Sequence, residues 1–571
     1  MNLQPIYNIA EICSKHGISQ AVLSPGSRCA PITLAFARHP KINCRTIADE
    51  RSAAFIGMGI AQQLQKPTVL VCTSGSAAYN YAPAVAEAFF QRIPLLVITA
   101  DRPPEWIDQL DGQTIRQPEL YGKHIKKSFN LPADLNHNDS QWHAQRLISE
   151  AINTAEEFPA GPVHVNVPLR EPFYPTSQAE VKFDEDIKTI TETNSIKDLS
   201  NRDWEVLIEK WKRFNRILVI GGQGNIDNRL TTPINRIIKE QKIPVIGDII
   251  SNLHPVENLI KHADLFLGQD KTGLHASLQP ELLVTFSNST ISKNVKLLLR
   301  NHQPQEHWHI QASGYVADTF KSLTKVIRVE PDTFFKKIAE IELPPTFDNQ
   351  KQENYYHIWQ IEERKSTRLL QTFFPNEPFG EFEFIREVIN ALPDNSNLHL
   401  ANSMAVRYAN FNGLENPTVE VFANRGTSGI DGSNSTTVGH CLSSERLNIL
   451  ITGDLAFFYD RNAFWHNYDI KNLRVVLVNN HAGGIFRIIK GPNKLPELEE
   501  FFETHQKLTA KLTAEEFGFE YLHCNKRSKL TNYLKEFYED SDRPKILELE
   551  TLSEENANTL KAFKNTFKDI K

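Results

Sequence analysis

The sequence predicts an α/β protein built from three doubly wound parallel-sheet domains. Three observations carry this. Short aliphatic runs ending abruptly in Gly, Ser or Asx residues alternate with stretches of helical length, the pattern of βα units feeding a parallel sheet. The runs are continuously apolar, as strands covered on both faces must be. The length of 571 residues allows four domains at roughly 150 residues each, or three slightly larger ones.

The first domain is expected over residues 1–176, with strands at 21–23, 45–47, 68–72, 95–99 and 163–167 and an Ala-rich helix at 77–90. A charged, Thr/Ser-rich linker is expected over 177–201, since its Glu, Asp and Lys show little periodicity. The central domain, 202–343, opens with a strand at 217–220 and the turn Gly221-Gly222-Gln223-Gly224. Asp227 stands where a dinucleotide loop needs its third glycine, so NAD or FAD is not expected there. A polar, proline-containing crossing at 344–354 leads to the last domain, 355–571, with strands at 398–400, 447–451, 473–478 and 546–549 and a charged helical tail. The first and last domains share one pattern of alternation.

Composition bounds the function. Hydrophobic content of 40% with 23% charged residues is that of an ordinary soluble protein. A net charge of −6 disfavours a general nucleic-acid binder but leaves room for local basic pockets. Six cysteines, none in a CxxC pair, suggest neither a zinc site nor a disulfide framework. Glu11 precedes the first basic residue, Lys15, and no signal-type or membrane-length apolar run follows. The expectation is a cytoplasmic chain without membrane insertion.

The most informative stretch is 447–486. One apolar run ends in Gly453, Asp454 and Leu455, and the next ends in Asn479, Asn480, His481 and Ala482. A helical length separates them, so a βαβ unit sets a carboxylate and an amide oxygen side by side at strand ends. Such oxygens suit a hard cation like Mg²⁺, which takes one or two protein ligands and completes its shell with water and phosphate. Each pair alone also reads as an ordinary strand-end turn.

Other strand ends carry arginines. Ser24-Pro25-Gly26-Ser27-Arg28 makes a turn whose amides and guanidinium suit a carboxylate, or a plain turn with a surface arginine. Glu50 follows a strand and opens a helix, where the macrodipole favours a solvated acid. Thr73-Ser74-Gly75-Ser76, Asp101-Arg102-Pro103-Pro104, Asn402-Ser403 with Arg407, and Arg425 to Gly432 follow further strands. Arg28, Arg102, Arg407 and Arg425, if they converge, imply substrates with several carboxylates.

The Gly-Asp and Asn-Asn pairs resemble the cofactor signature of thiamine-diphosphate enzymes. The motifs Ser-Pro-Gly-Ser-Arg, Asp-Glu-Arg, Ala-Asp-Arg-Pro-Pro-Glu, Ile-Arg-Gln-Pro, Asn-Arg-Gly-x-Ser-Gly-Ile-Asp-Gly and Gly-Asp-Leu, in this order, look like the menaquinone-pathway branch of that family. The resemblance covers the first and third domains most closely. It implies thiamine diphosphate with Mg²⁺ (or Mn²⁺) held by Asp454, Asn480 and the Ala482 carbonyl. It implies that Glu50 hydrogen-bonds N1′ of the aminopyrimidine, and that Ser74, Gly75, Gly453, Leu455 and Ile430 contact the cofactor, Ile430 from beneath. Ser27, Arg28, Arg102, Gln113, Lys293, Ser403, Arg407 and Arg425 would contact substrate, with Ile485 and Phe486 as apolar walls.

Leu455, Gly112, Ala482 and Asn294 depart from the commonest residues of the family. The implied substrates are 2-oxoglutarate and isochorismate, each with two carboxylates, in a homodimer or homotetramer whose sites are shared between subunits. Another thiamine-diphosphate-dependent 2-oxo acid decarboxylase or carboligase is the nearest alternative. A cofactor-free scaffold is the alternative from a different class.

Overall fold

The computed structural model describes residues 3–171, 173–174, 181–193, 195, 197–268, 273–341 and 349–569. The parts of the expected linkers at 177–180 and 344–348, with the boundary at 342–343, lie outside these. Among the described residues no helix is long and apolar enough to cross a membrane.

Three parallel sheets account for the strands. The first contains β1 (Gln20–Leu23), β2 (Asn43–Thr46), β3 (Thr68–Cys72), β4 (Leu95–Asp101), β5 (Ser128–Asn130) and β6 (Val163–Pro168), in the order β2-β1-β3-β4-β6-β5. The second contains β7 (Ile217–Gly221), β8 (Val245–Gly247), β9 (Leu282–Phe286), β10 (Glu306–Ile310) and β11 (Lys325–Ile327), in the order β11-β10-β9-β7-β8. The third contains β12 (Asn397–Leu400), β13 (Glu420–Phe422), β14 (Asn448–Gly453), β15 (Leu473–Asn479), β16 (Glu520–His523) and β17 (Lys545–Glu550), ordered β13-β12-β14-β15-β17-β16. First and third sheets thus share one topology, as their common alternation suggests.

In both, the strand order reverses beside the first strand, so the crevices β1/β3 and β12/β14 are the switch points where such sheets take ligands. Every residue of the central strands β3 and β15 is buried, and their apolar stretches 69–72 and 475–478 are why they read as unbroken runs. The helix expected at 77–90 is interrupted at Tyr81, giving Ser76–Asn80 and Ala82–Gln91. Pro83 has no N–H to continue the first helix and suits the opening turn of the second.

The domains share cores. One cluster joins Phe55, Ile56 and Val85 of the first domain to Val438, Leu450 and Leu477 of the third. Helix Glu50–Leu64 crosses helix Ser433–Cys441 through glycines: a Cβ on Gly59 would lie 2.1 Å from Thr436 O, and one on Gly439 2.2 Å from Ile56 O. Helix Asn349–Thr372 ties the central domain to the third, with Tyr355 Oη donating to Leu278 O (2.9 Å) and Glu363 meeting His262 Nδ1 at 2.6 Å. The chain near 181–190 lies along the first domain, where Lys15 Nζ donates to Ile187 O (2.8 Å) and Asn153 Nδ2 to Ile190 O (2.8 Å).

Candidate active site

The first cluster sits at the carboxyl ends of β1, β3 and β4. The turn after β1 comes so close to the one after β3 that a Cβ on Gly26 would lie 2.3 Å from Thr73 Cβ. Arg28 is buried, donates to Leu169 O (2.7 Å) and stacks its guanidinium 4.6 Å over Phe173, while Ser27 Oγ meets Tyr174 Oη at 3.1 Å. Burial, then the charge of Arg102, lowers the Arg28 pKa. Arg102 donates to Gly112 O (2.8 Å) and pairs with Asp111 (3.1 Å), which leaves its Nε buried without a partner.

Glu50 is the first residue of its helix, half-buried, and its charge reaches Cys29 and Cys72. Asp49 caps that helix by accepting from Ser52 N (3.1 Å) and also accepts from Asn462 of the third domain (2.7 Å). Gly75 has φ +90°, a left-handed conformation that favours glycine, and Gln113 packs beside it. The Ser74 hydroxyl is buried without a partner.

The second cluster sits at the carboxyl ends of β12, β14 and β15. Gly453 pairs with Val478 across β14 and β15, which puts Asp454 and Asn480 on neighbouring strand ends. Asp454 is buried and opens helix Asp454–Tyr459; burial pushes its pKa up to about 6. Its Oδ2 accepts from Gln506 Nε2 (2.7 Å), and a Cβ on Gly453 would meet open space. Asn480 donates to Glu381 Oε1 (2.6 Å), and its Oδ1 faces the loop, accepting from Ala482 N (3.1 Å). Burial, with Asp454 adding repulsion, pushes Glu381 up to about 7.

Leu455, Ile485 and Phe486 are half-buried around these groups, and Ile430 is 41% exposed on its loop. A buried carboxylate beside an amide oxygen and a carbonyl forms an all-oxygen donor set, which fits a hard divalent cation. A different acidic group, Glu499, Glu503 and His505, is already neutralised by Arg487, which donates to Glu503 Oε1 (3.0 Å) and Glu499 Oε1 (3.2 Å).

The remaining arginines flank β12. Arg407 donates to Ser403 O (2.5 Å), and Ser403 itself has φ +72°. Arg425 donates to Asn402 Oδ1 (2.6 Å), while its Nε is buried without a partner. Burial first, then Arg407, lowers the Arg425 pKa, so the two guanidinium groups feel each other. Lys293 is exposed at the start of helix Lys293–Asn301. Its neighbours Ser292 and Asn294 bind Asp264, whose charge also acts on Arg407.

Two groups of sequence-predicted residues are therefore brought together separately. Ser27, Arg28, Glu50, Ser74, Gly75, Arg102 and Gln113 lie on the first domain, and the others on the third and central domains. Among the described residues no hydrogen bond or ion pair joins one group to the other. Sequence reasoning missed the supports. Gln117 holds Gly75 N (2.9 Å) while donating to Ala100 O (3.0 Å); Glu381 and Gln506 brace Asn480 and Asp454. Only Gln117, inside the Ile-Arg-Gln-Pro motif, carried a sequence signal. At the Gly221–Gly224 turn a Cβ on Gly222 would lie 2.0 Å from Asn288 O, so this glycine is required by the close approach of the neighbouring backbone.

The family model "Thiamine pyrophosphate enzyme, N-terminal TPP binding domain" matches residues 7–123, which hold the whole first cluster. The chain is 46% identical over 565 residues to the 2-succinyl-5-enolpyruvyl-6-hydroxy-3-cyclohexene-1-carboxylate synthase of Cytophaga hutchinsonii, covering 99% of each chain. It belongs to that synthase family. The synthases of Flavobacterium johnsoniae (40% over 566 residues, 99% of this chain and 98% of that one) and Bacteroides fragilis (36% over 567 residues, 99% of each) are also similar to it. Because these matches run through all three domains, membership of the synthase family covers the third-domain cluster that the family model leaves out.

Proposed function

We propose that the chain decarboxylates 2-oxoglutarate with thiamine diphosphate and adds the remaining four-carbon unit to isochorismate. The products are 2-succinyl-5-enolpyruvyl-6-hydroxy-3-cyclohexene-1-carboxylate and CO₂, in menaquinone biosynthesis. The observation that carries this choice within the thiamine enzymes is the pair of half-buried arginines beside β12, Arg407 and Arg425, whose guanidinium groups donate to neutral oxygens, Ser403 O and Asn402 Oδ1. Two half-buried guanidinium groups bonded to neutral oxygens suit a multiply charged anionic substrate. A decarboxylase of apolar substrates has no need of them.

Thiamine diphosphate, when bound, supplies the carbon nucleophile and electron sink for loss of CO₂. Glu50 would hydrogen-bond N1′ of the aminopyrimidine and so hold a proton at that ring nitrogen. Asp454, Asn480 and the Ala482 carbonyl would hold Mg²⁺ (or Mn²⁺) against the diphosphate, with Gly453 and Leu455 alongside. Ser74, Gly75 and Ile430 would pack the cofactor. Ser27, Arg28, Arg102, Gln113, Lys293, Ser403, Arg407 and Arg425 would orient the carboxylates, while Ile485 and Phe486 exclude water.

The placing of the two clusters on different domains, with no hydrogen bond between them among the described residues, supports a homodimer or homotetramer in which the first domain of one subunit faces the third of another. Mass analysis of products from protein, cofactor, Mg²⁺, 2-oxoglutarate and isochorismate tests the reading. The expected result is the succinyl adduct; succinic semialdehyde alone would indicate a simple decarboxylase.

A further inference from the structure

Glu87 lies on helix Ala82–Gln91 of the first domain and is 1% exposed. In an Ala-rich helix it reads as an unremarkable acid. In the fold its carboxylate leaves its own domain and takes the backbone of the third-domain loop that carries Arg425. Gly426 N donates to Oε1 (2.7 Å), and Thr427 N (2.6 Å) and Thr427 Oγ1 (2.5 Å) donate to Oε2. A fourth donor, Gln91 Nε2, reaches Oε1 at 2.6 Å.

The contact is close enough that a Cβ on Gly426 would lie 2.6 Å from Glu87 O, so the loop has room only for glycine there. Gln91 in turn accepts from Gln223 Nε2 (3.1 Å) of the central domain, and Gln223 also donates to Ala423 O (2.9 Å), just ahead of Arg425. A buried carboxylate with four donors is a fixed anchor, because each bond to a charged acceptor is stronger than a neutral one.

Resting on the substrate reading above, we infer that Glu87 is a positioning residue for Arg425, fixing from another domain the guanidinium that takes a substrate carboxylate. Its negative charge also acts on Arg425, against the effects of burial and of Arg407. Glu87 is buried and its carboxylate is taken by four protein donors, so its effect passes through the loop.

The test is a double-mutant cycle in the holoenzyme. Glu87→Gln keeps the shape but turns one acceptor into a donor facing an N–H. The KM of the substrate bound by Arg425 should rise on the order of 10-fold, with less change in kcat and none in thiamine-diphosphate affinity. In an Arg425→Lys background the same change should add less than about twofold, because both act on one contact. Thr427→Val, which removes only the hydroxyl bond, should raise KM about two- to threefold and decides the matter if Glu87→Gln does not fold.

An unchanged KM in Glu87→Gln, or in Thr427→Val where that variant stands in, overturns the inference, as does a full multiplicative effect in the Arg425→Lys background. If Arg425→Lys alone leaves both KM values untouched, the substrate reading falls, and Glu87 with it. If Arg425→Lys raises KM while Glu87→Gln does not, only the role of Glu87 is lost.

Discussion

The two clusters sit at equivalent switch points of sheets with the same strand order, yet they are held in different ways. In the first domain the arginines take their partners locally: Arg28 from Leu169 O and Phe173, Arg102 from Asp111 and Gly112 O. In the third, the Arg425 loop hangs on Glu87 of the first domain, while Asp264 of the central domain acts on Arg407. A cation held by its own domain is in place once that domain folds. The third-domain guanidinium groups also donate within their own domain, to Ser403 O and Asn402 Oδ1, but the Arg425 loop has this second hold from outside, so disturbing a domain contact should reach that cluster first.

The largest effect should come from Asp454→Ala. With the anionic ligand gone, the diphosphate meets backbone dipoles without a bridging cation, and calorimetry should find Mg²⁺-dependent cofactor binding abolished. Unchanged affinity would remove the cation from this cluster. Glu50→Gln should leave cofactor binding intact and lower turnover on the order of 10²–10⁴-fold, the range for acid–base groups. The two variants separate the clusters by function, one failing to bind and the other failing to react.

Smaller effects compare the arginines. Arg407→Lys keeps charge but loses the fork, and substrate KM should rise on the order of 10-fold with cofactor affinity unchanged. If cofactor affinity fell instead, Arg407 would belong to the diphosphate. The smallest effect concerns the contact between the clusters' domains, where His440 lies buried within reach of Gln62 and Gln63 and beside His399. Burial holds the pKa of His440 well below its ordinary value and that of His399 down at about 4.

Unfolded, both imidazoles regain the ordinary value of 6.5, so below it the unfolded chain binds more protons than the folded one. Stability present above pH 6.5 is therefore lost as pH falls toward about 4. Thermal melts between about pH 7 and about pH 5 should show a falling midpoint, with a shallower slope in His440→Gln. An unaltered slope in that variant would assign the acid loss to other groups.

The sheets were legible because their central strands are apolar on both faces and stop at Gly or Asx. Edge strands were less so: β2 was expected at 45–47, but all four residues of β16 are half-buried and β13 has only three residues, so neither of these gives an apolar run. The arginines and the Gly-Asp and Asn-Asn pairs announce themselves by position after a strand. Their supports do not, since Glu381 reaches Asn480 across 99 residues and Glu87 reaches Gly426 across 339. Nothing local marks such an acid as anything but a solvated one.

The central claim is that the two clusters complete one site between two chains. Glu50→Gln and Asp454→Ala chains, each inactive alone, should be co-expressed with different tags and their mixed dimers isolated. One of the two sites in a mixed dimer then has both groups intact, so about half the wild-type activity per dimer should return. Mixed dimers that form and stay inactive, or a fully active monomer in sedimentation, would contradict the account.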